Sequence, residues 1–376
     1  MKLERSLFFF AIALLLSACI KSEAPNAEAD ILSCKIEEAH ILKTAPIINN
    51  STKGKYSVTF LVKEPEQMQA ITPYFELTAG ASIEPQDGIT QDFTRPITYT
   101  VTSEDGQWTK KYSIAAIQTN IPKKYSFETV SEKSTQFHTF VERIDGIEVM
   151  EWASGNSGYL SAPVPKDKPE DFPTYKYPYG HTNECAKLVT RSTGSLAGIL
   201  KKPIAAGNLF IGSFDPANAM TDPLSTTLFG LPFNEQPLAL KGYYKYKPGE
   251  KLIDKNSKVI EGEIDSGDIY AVFYESDDND FTLNGSNSLT HPNIVSIARV
   301  ENVNETPKDQ WVSFEVPFKL LEGKEINPEK LDQYRYKLAI VFTSSKDGAH
   351  FKGAVGSTLL IDDVELLSEP INVEDK

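Results

Sequence analysis

Cysteine is scarce: there are three in 376 residues, and none forms a C-x-x-C pair. A disulfide-stapled scaffold and a cysteine zinc site are therefore excluded. Histidine is nearly as sparse, with five residues and no two close together. Ser-His or Cys-His nucleophilic catalysis and an H-E-x-x-H metal site lack support. No G-x-S-x-G elbow or phosphate-binding glycine loop occurs, since GSLAG (194–198) sets its serine one place early. Positive charge is short as well: 38 Lys and Arg face 52 Asp and Glu, for a net charge of −14. That balance argues against nucleic acid or an anionic lipid surface as partner. Long helical periodicity is rare, and no apolar run is long enough to span a bilayer.

What is present is alternation and punctuation. Short runs of alternating apolar and polar residues are bounded by turn signals, with 23 prolines, 22 glycines and 10% aromatics. This pattern predicts an all-β protein. The exception is the N-terminus. Lys2 and Arg5 precede LFFFAIALLL (7–16), and the small residues of LSAC lead to Cys19. The arrangement resembles the lipobox of bacterial lipoproteins. It implies a signal peptide over residues 1–18, removed before Cys19, which then carries lipid, palmitate included. More than one acyl chain makes a stable anchor. Ile20 stands where Asp would favour the inner membrane, so the resemblance implies the outer membrane, periplasmic or surface-exposed. Residues 19–29 read as a polar, acidic tether. Loss of residues 1–18 takes away Lys2, Glu4 and Arg5 and moves the net charge from −14 to −15.

Residues 30–119 form a first unit. YSVTFLV (56–62) alternates like a strand. In RPITYTVTSEDGQWTKKYSIAAI, Tyr99 and Val101 precede an SEDG turn and Tyr112, Ile114 and Ala116 follow it, which predicts a hairpin. Some ninety residues of short strands predict an immunoglobulin-like β-sandwich. Gly80, Ile83, Pro85, Gly88, Asp92, Phe93, Pro96 and Tyr99 also resemble an Ig-like module of surface lipoproteins, usually a spacer. QTNIPKK (118–124) reads as a linker, residues 125–368 as one larger jelly-roll β-sandwich, and 369–376 as a tail. LAIVF (338–342) is apolar on both faces, as a strand buried between layers must be. Cys34 and Cys185 fall in different units and are expected to be isolated thiols.

Sugar sites combine aromatic faces with fixed hydrogen-bonding groups. Trp152, Tyr243, Tyr244, Tyr246, Tyr270, Tyr274 and Trp311 are candidates by type. Alternation places Tyr244 and Tyr246 on one face and Tyr243 and Lys245 on the other, and one of these faces belongs to the core. Glycoside hydrolysis would need two carboxylates flanking the scissile bond. Asp215, Glu275, Glu301, Glu315 and Asp268 lie in or beside predicted strands.

EWASGNSGY, IAAGNLFIGSF, PLALKGYYKYKPG, DIYAVFYE and GAVGSTLLIDDVEL together resemble the putative carbohydrate metabolism domain family over about residues 125–368. The resemblance implies an Ig-like module followed by a jelly roll that holds glycan, with an outer-membrane uptake complex as partner. The expected pocket is Trp152, Asn156, Arg191, Tyr244, Lys245, Tyr274, Glu275 and Arg299. Binding without turnover is the first reading. A glycoside hydrolase using Glu275 with Asp215 or Glu301 is the alternative, and a structural subunit of a membrane assembly is a third.

TLLIDDVELL (358–367) poses a separate question. Simple alternation puts Leu360, Asp362, Val364 and Leu366 on one face, leaving a carboxylate among aliphatics. Jelly-roll carbohydrate-binding modules often open on Phe-Glu, as YSFETVSE (125–132) does, and close on Asp-Asp-Val, with a structural calcium between the ends. That resemblance implies Glu128, Asp362 and Asp363 as calcium ligands. The competing expectation is a salt bridge or backbone N–H groups on Asp362.

Overall fold

The computed structural model describes residues 25–370, apart from 43–44, 51–55, 64, 119–120, 133–135, 145–146, 217–220, 277–280 and 309. The N-terminal apolar run and Cys19 lie outside the described residues.

The first unit is an Ig-like sandwich. Ile97–Thr102 and Thr109–Gln118 pair across the SEDG turn, and Tyr56–Val62 joins Thr109–Gln118 in parallel. Ile47–Asn50 and Ser82–Glu84 complete that sheet. A two-stranded layer, Ile31–Ile36 with Pro73–Leu77, closes the other side. Alternation sends Val58, Phe60, Tyr99, Val101, Tyr112 and Ile114 into one core shared by both layers.

The second unit is a jelly roll of two sheets. The first runs Leu283–Asn284, Thr227–Phe229, Asn208–Phe214, Tyr336–Thr343, Asp268–Glu275, Ile294–Arg299, Lys319–Leu320 in spatial order. The second runs Thr174–Tyr177, Cys185–Val189, Thr358–Glu369, Gln236–Lys247, Val312–Pro317. Between them, Leu338, Ile340 and Phe342 meet Leu359, Ile361 and Val364 in the main core. The opposite side of the first sheet is apolar too. Tyr270, Val272, Tyr274, Ala339 and Val341 form a second cluster with Phe210 and Phe229. Strands apolar on both faces thus feed two layers, and the outer one lies under loops.

The expected linker runs into the second unit. Ile121 is buried in the jelly-roll core, and Lys124–Tyr125 pairs with Thr358–Glu369 opposite Glu365 and Val364. The two ends of the unit are therefore joined by backbone hydrogen bonds, with Leu366 N–H donating to the Lys123 carbonyl at 2.7 Å.

The closing strand Thr358–Glu369 does not alternate throughout. Tyr243 pairs with Asp362 but Lys241 pairs with Glu365, so the closing strand carries an extra residue there, and Asp363 sits at φ 46°. This β-bulge flips the side-chain faces. Leu359 and Ile361 before it, and Val364 and Leu366 after it, all point into the core. Asp362 thus shares no face with Val364 and Leu366; it points out of the sandwich. Gly242 lies opposite the bulge, where a Cβ would come within 2.9 Å of Val364 and 3.0 Å of Phe314.

Candidate functional site

A cavity of about 570 Å³ opens on the loop-covered side of the first sheet. Its floor is the outer apolar layer, including Phe210, Phe229, Tyr270 and Val341. The short helices Asn156–Tyr159 and Ser195–Ile199 and the 285–290 and 345–351 loops wall it. Strand alternation explains the floor: Tyr270 points opposite to Ile269 and Ala271, which fill the main core.

The cavity's polar centre is an ion pair. Asp268 opens its strand, and Arg299 closes the neighbouring one opposite Tyr270. The Arg299 fork donates from Nε to Asp268 Oδ1 at 2.9 Å and from a terminal nitrogen to Oδ2 at 2.6 Å. Asp268 is only 4% exposed. Burial pushes its carboxyl above the usual range, and the Arg299 bonds oppose that shift. Breaking a buried pair by removing one partner typically costs about 3–5 kcal/mol. The guanidinium lies 5.8 Å from the Tyr270 ring centroid. Two of its five donors are used on Asp268, which leaves the rest of a fixed fork for a ligand. Tyr270 and Ser288 share a hydroxyl hydrogen bond of 3.3 Å. Lys202, Lys346, Asp347 and His350 add charge and polarity to the rim. An apolar floor with a few fixed charged groups suits a small polyhydroxylated ligand with one apolar face.

Of the eight expected pocket residues, Arg299 alone lines this cavity. Trp152 is 1% exposed and packs against Tyr125, Phe127 and Phe342, its indole N–H donating to Glu142 at 3.0 Å. It is a core residue, so it offers no face to a sugar. Asn156 is fully buried and ties the start of its helix to the start of the Thr174–Tyr177 strand, donating to the Thr174 carbonyl at 2.7 Å and accepting from the Thr174 N–H at 3.1 Å. Tyr244 packs on Phe314 in the main core. Tyr274 lies in the outer apolar layer, donating its hydroxyl to the Phe229 carbonyl at 2.5 Å. Arg191 donates to the Glu170 carbonyl at 2.6 Å, and Lys245 stands on the second sheet, over Trp311. Glu275 is paired with Lys330.

The expected catalytic carboxylates also miss the cavity. Glu275, Asp215 and Glu301 do not line it, and Asp215 and Glu301 are exposed. Asp268 and Tyr270, candidates by type but outside the expected eight, do line the cavity. Their signal was a charged residue at the end of a strand otherwise apolar on both faces: Asp268 at one strand's start, Arg299 at the next one's finish.

The three expected calcium ligands do converge, but on a loop. Asp362 is 0% exposed. Its Oδ2 accepts from the backbone N–H of His181 at 2.7 Å and of Thr182 at 3.0 Å, and its Oδ1 from Asp363 N–H at 2.8 Å. Asp363 holds His181 Nδ1 and the Thr182 hydroxyl, each at 2.7 Å. Glu128 accepts from the Asn183 amide at 3.0 Å. Donors therefore point at the oxygens where a cation would have to sit, so the arrangement does not fit calcium. Among the described residues no group of three or more His, Cys, Asp or Glu is placed to hold a metal ion. Gly180 passes so close that a Cβ would lie 2.6 Å from Asp362 Oδ2.

Comparison with known proteins places the fold. A family model described as Putative carbohydrate metabolism domain matches residues 126–367, and one described as SGBP, N-terminal matches residues 31–116. A solved structure titled a putative glycoside hydrolase from Bacteroides thetaiotaomicron VPI-5482 is 48% identical, covers 93% of this chain and 100% of its own, and gives a TM-score of 0.77. Another so titled, from Bacteroides vulgatus ATCC 8482, is 41% identical, covers 67% of this chain and 100% of its own, and gives 0.62. No curated protein matches.

Proposed function

The chain belongs to the Putative carbohydrate metabolism domain family, and from that premise we propose that it captures glycan in the loop-covered cavity of its jelly roll. The observation that carries this reading is the Asp268–Arg299 fork beside Tyr270 on an apolar floor. Arg299 would hydrogen-bond sugar hydroxyls with its remaining donors, and the ring faces would take the apolar C–H side of the sugar. The N-terminal sandwich serves as a spacer. Cys19, at the end of LSAC, anchors the protein by lipid to the outer membrane, where it supplies glycan to an uptake complex; the sequence of residues 1–19 supports the anchor.

A glycan array probed with the full chain tests the proposal. Binding to at least one oligosaccharide is expected, weakened tenfold or more, about 1.4 kcal/mol, in Arg299→Lys. Lysine keeps the charge but loses the bidentate fork. Unchanged binding in that variant would remove the cavity from the reading.

Hydrolysis is a second reading, favoured by the two relatives named as putative glycoside hydrolases. The acidic residues lining the cavity are Asp268 and Asp347, and both oxygens of Asp268 are held by Arg299. Turnover of a bound glycan, abolished in Asp347→Asn, would support it. Binding without turnover supports capture alone.

A further inference from the structure

The second sheet turns another surface to solvent, on the far side of the sandwich from the cavity. Its register builds a row. Tyr175 lies opposite Lys187, Lys187 opposite Leu360, and Leu360 opposite Lys245. Trp311, next to the Val312 that pairs with Tyr244, completes the row beside Lys245. Five strands make four spacings of about 4.8 Å, so the row is about 19 Å long.

An ammonium group stands beside an aromatic ring at each end of the row, with Leu360 between the two. Lys187 Nζ lies 4.3 Å from the Tyr177 ring centroid and 5.6 Å from that of Tyr175. Lys245 Nζ lies 5.2 Å from the Trp311 centroid. His181 stacks on Tyr243 at 3.7 Å with an 11° interplanar angle and meets Trp311 edge-on at 6.0 Å. Tyr179, 70% exposed, stands edge-on to Tyr177 at 5.3 Å.

The loop that carries Tyr179 and His181 is held in place. Asp362 and Asp363 secure residues 181 and 182 through the four bonds described above, and Glu128 secures Asn183. The two aspartates therefore preorganise part of this surface, which lowers the ordering cost of binding.

Charge sets the kind of ligand. Three acidic groups around the row are already engaged, Glu184 with Lys176 at 2.6 Å, Asp363 with His181, and Glu365 with Lys241 at 2.9 Å, while Glu170 stands near Tyr175. Glu315 is exposed on the edge strand. Among the described residues neither Lys187 nor Lys245 has an ion pair; their contacts are the ring faces. We infer that this face is a second carbohydrate site, which takes an extended anionic polysaccharide. Tyr177 and Trp311 receive sugar C–H faces, and Lys187 and Lys245 receive carboxylate or sulfate groups. It is independent of the cavity, whose lining includes none of these residues.

Affinity electrophoresis of the full chain tests this, in native gels containing polygalacturonate, heparin or a neutral galactomannan. Retardation by polygalacturonate or by heparin is expected, the first indicating carboxylate and the second sulfate as the group bound. It should weaken as salt rises, because the attraction is screened. Affinity should fall tenfold or more in the Lys187→Gln/Lys245→Gln double variant and in Trp311→Ala, and stay unchanged in Arg299→Lys. The lysine variant removes two half-buried surface charges, so an unchanged thermal midpoint keeps its result interpretable. Migration unaffected by both anionic polymers, equal retardation by galactomannan, or an unaltered double variant would overturn the inference.

Discussion

Asp362 is a place where burial and charge oppose each other, and the conflict has a measurable pH signature. The side chain is 0% exposed, and burial pushes its carboxyl from an ordinary 3.8 up to about 6, against three backbone N–H bonds that pull the other way. In the unfolded chain the proton leaves near 3.8, whereas in the fold it leaves near 6. The native state thus binds the proton more tightly. Stability from this group is fully present below the unfolded value of 3.8 and is lost as pH rises through about 6. At about 1.4 kcal/mol per tenfold change, the loss comes to about 3 kcal/mol. Asp362→Asn abolishes the titration. Its carbonyl can keep the N–H bonds of His181 and Thr182, but its amide cannot accept from Asp363, a loss of about 1–3 kcal/mol at any pH. Unfolding free energies in urea, followed by tryptophan fluorescence, should be compared between wild type and variant from about pH 4 to about pH 7. The wild type should lose about 2.4 kcal/mol relative to Asp362→Asn across that window. A difference that stays constant with pH would refute the reasoning.

Three further outcomes are expected. Trp152→Ala should cost about 3–5 kcal/mol by denaturant unfolding, because it empties a fully buried aromatic site, while the glycan affinity of the folded fraction stays the same. Glu275→Gln should cost no more than about 1 kcal/mol, since the Lys330 pair is partly exposed, and should leave glycan binding and any turnover unchanged. Cys34 and Cys185 are buried thiols, each pushed up to about 12 by burial. Iodoacetamide at about pH 8 should leave both unlabelled in the native protein and alkylate both in denaturant, as mass spectrometry would show.

Much of the architecture could be read from local patterns. Period-two alternation identified the SEDG hairpin, and Tyr99, Val101, Tyr112 and Ile114 are the buried residues it required. The doubly apolar LAIVF run marked a strand sandwiched between layers, and Tyr336–Thr343 is that strand. The candidate site was less legible. Residue type placed Trp152 and Tyr274 beside sugars, but large aromatics also fill cores, and type does not distinguish the two uses. Residue type points to Arg299 but does not single out its partner Asp268, since strand pairing alone brings residues 31 apart into a 2.6 Å contact.

The sequence by itself determined the fold class, because β-strands write their buried faces into alternate residues and turns write their chemistry into short polar stretches. It also carried the family resemblance and the two aspartates near the C-terminus. Only the tertiary structure decided what those aspartates do. A single extra residue at Asp363 reverses the faces of the closing strand, and no periodicity predicts where a ladder will bulge. The reversal turns Asp362 outward, under a loop contributed some 180 residues earlier, whose N–H groups take the place that a cation was expected to fill. The cavity was decided in the same way. Loops distant in sequence cover one sheet, and the register of the strands beneath them sets Arg299 beside Asp268 and Tyr270.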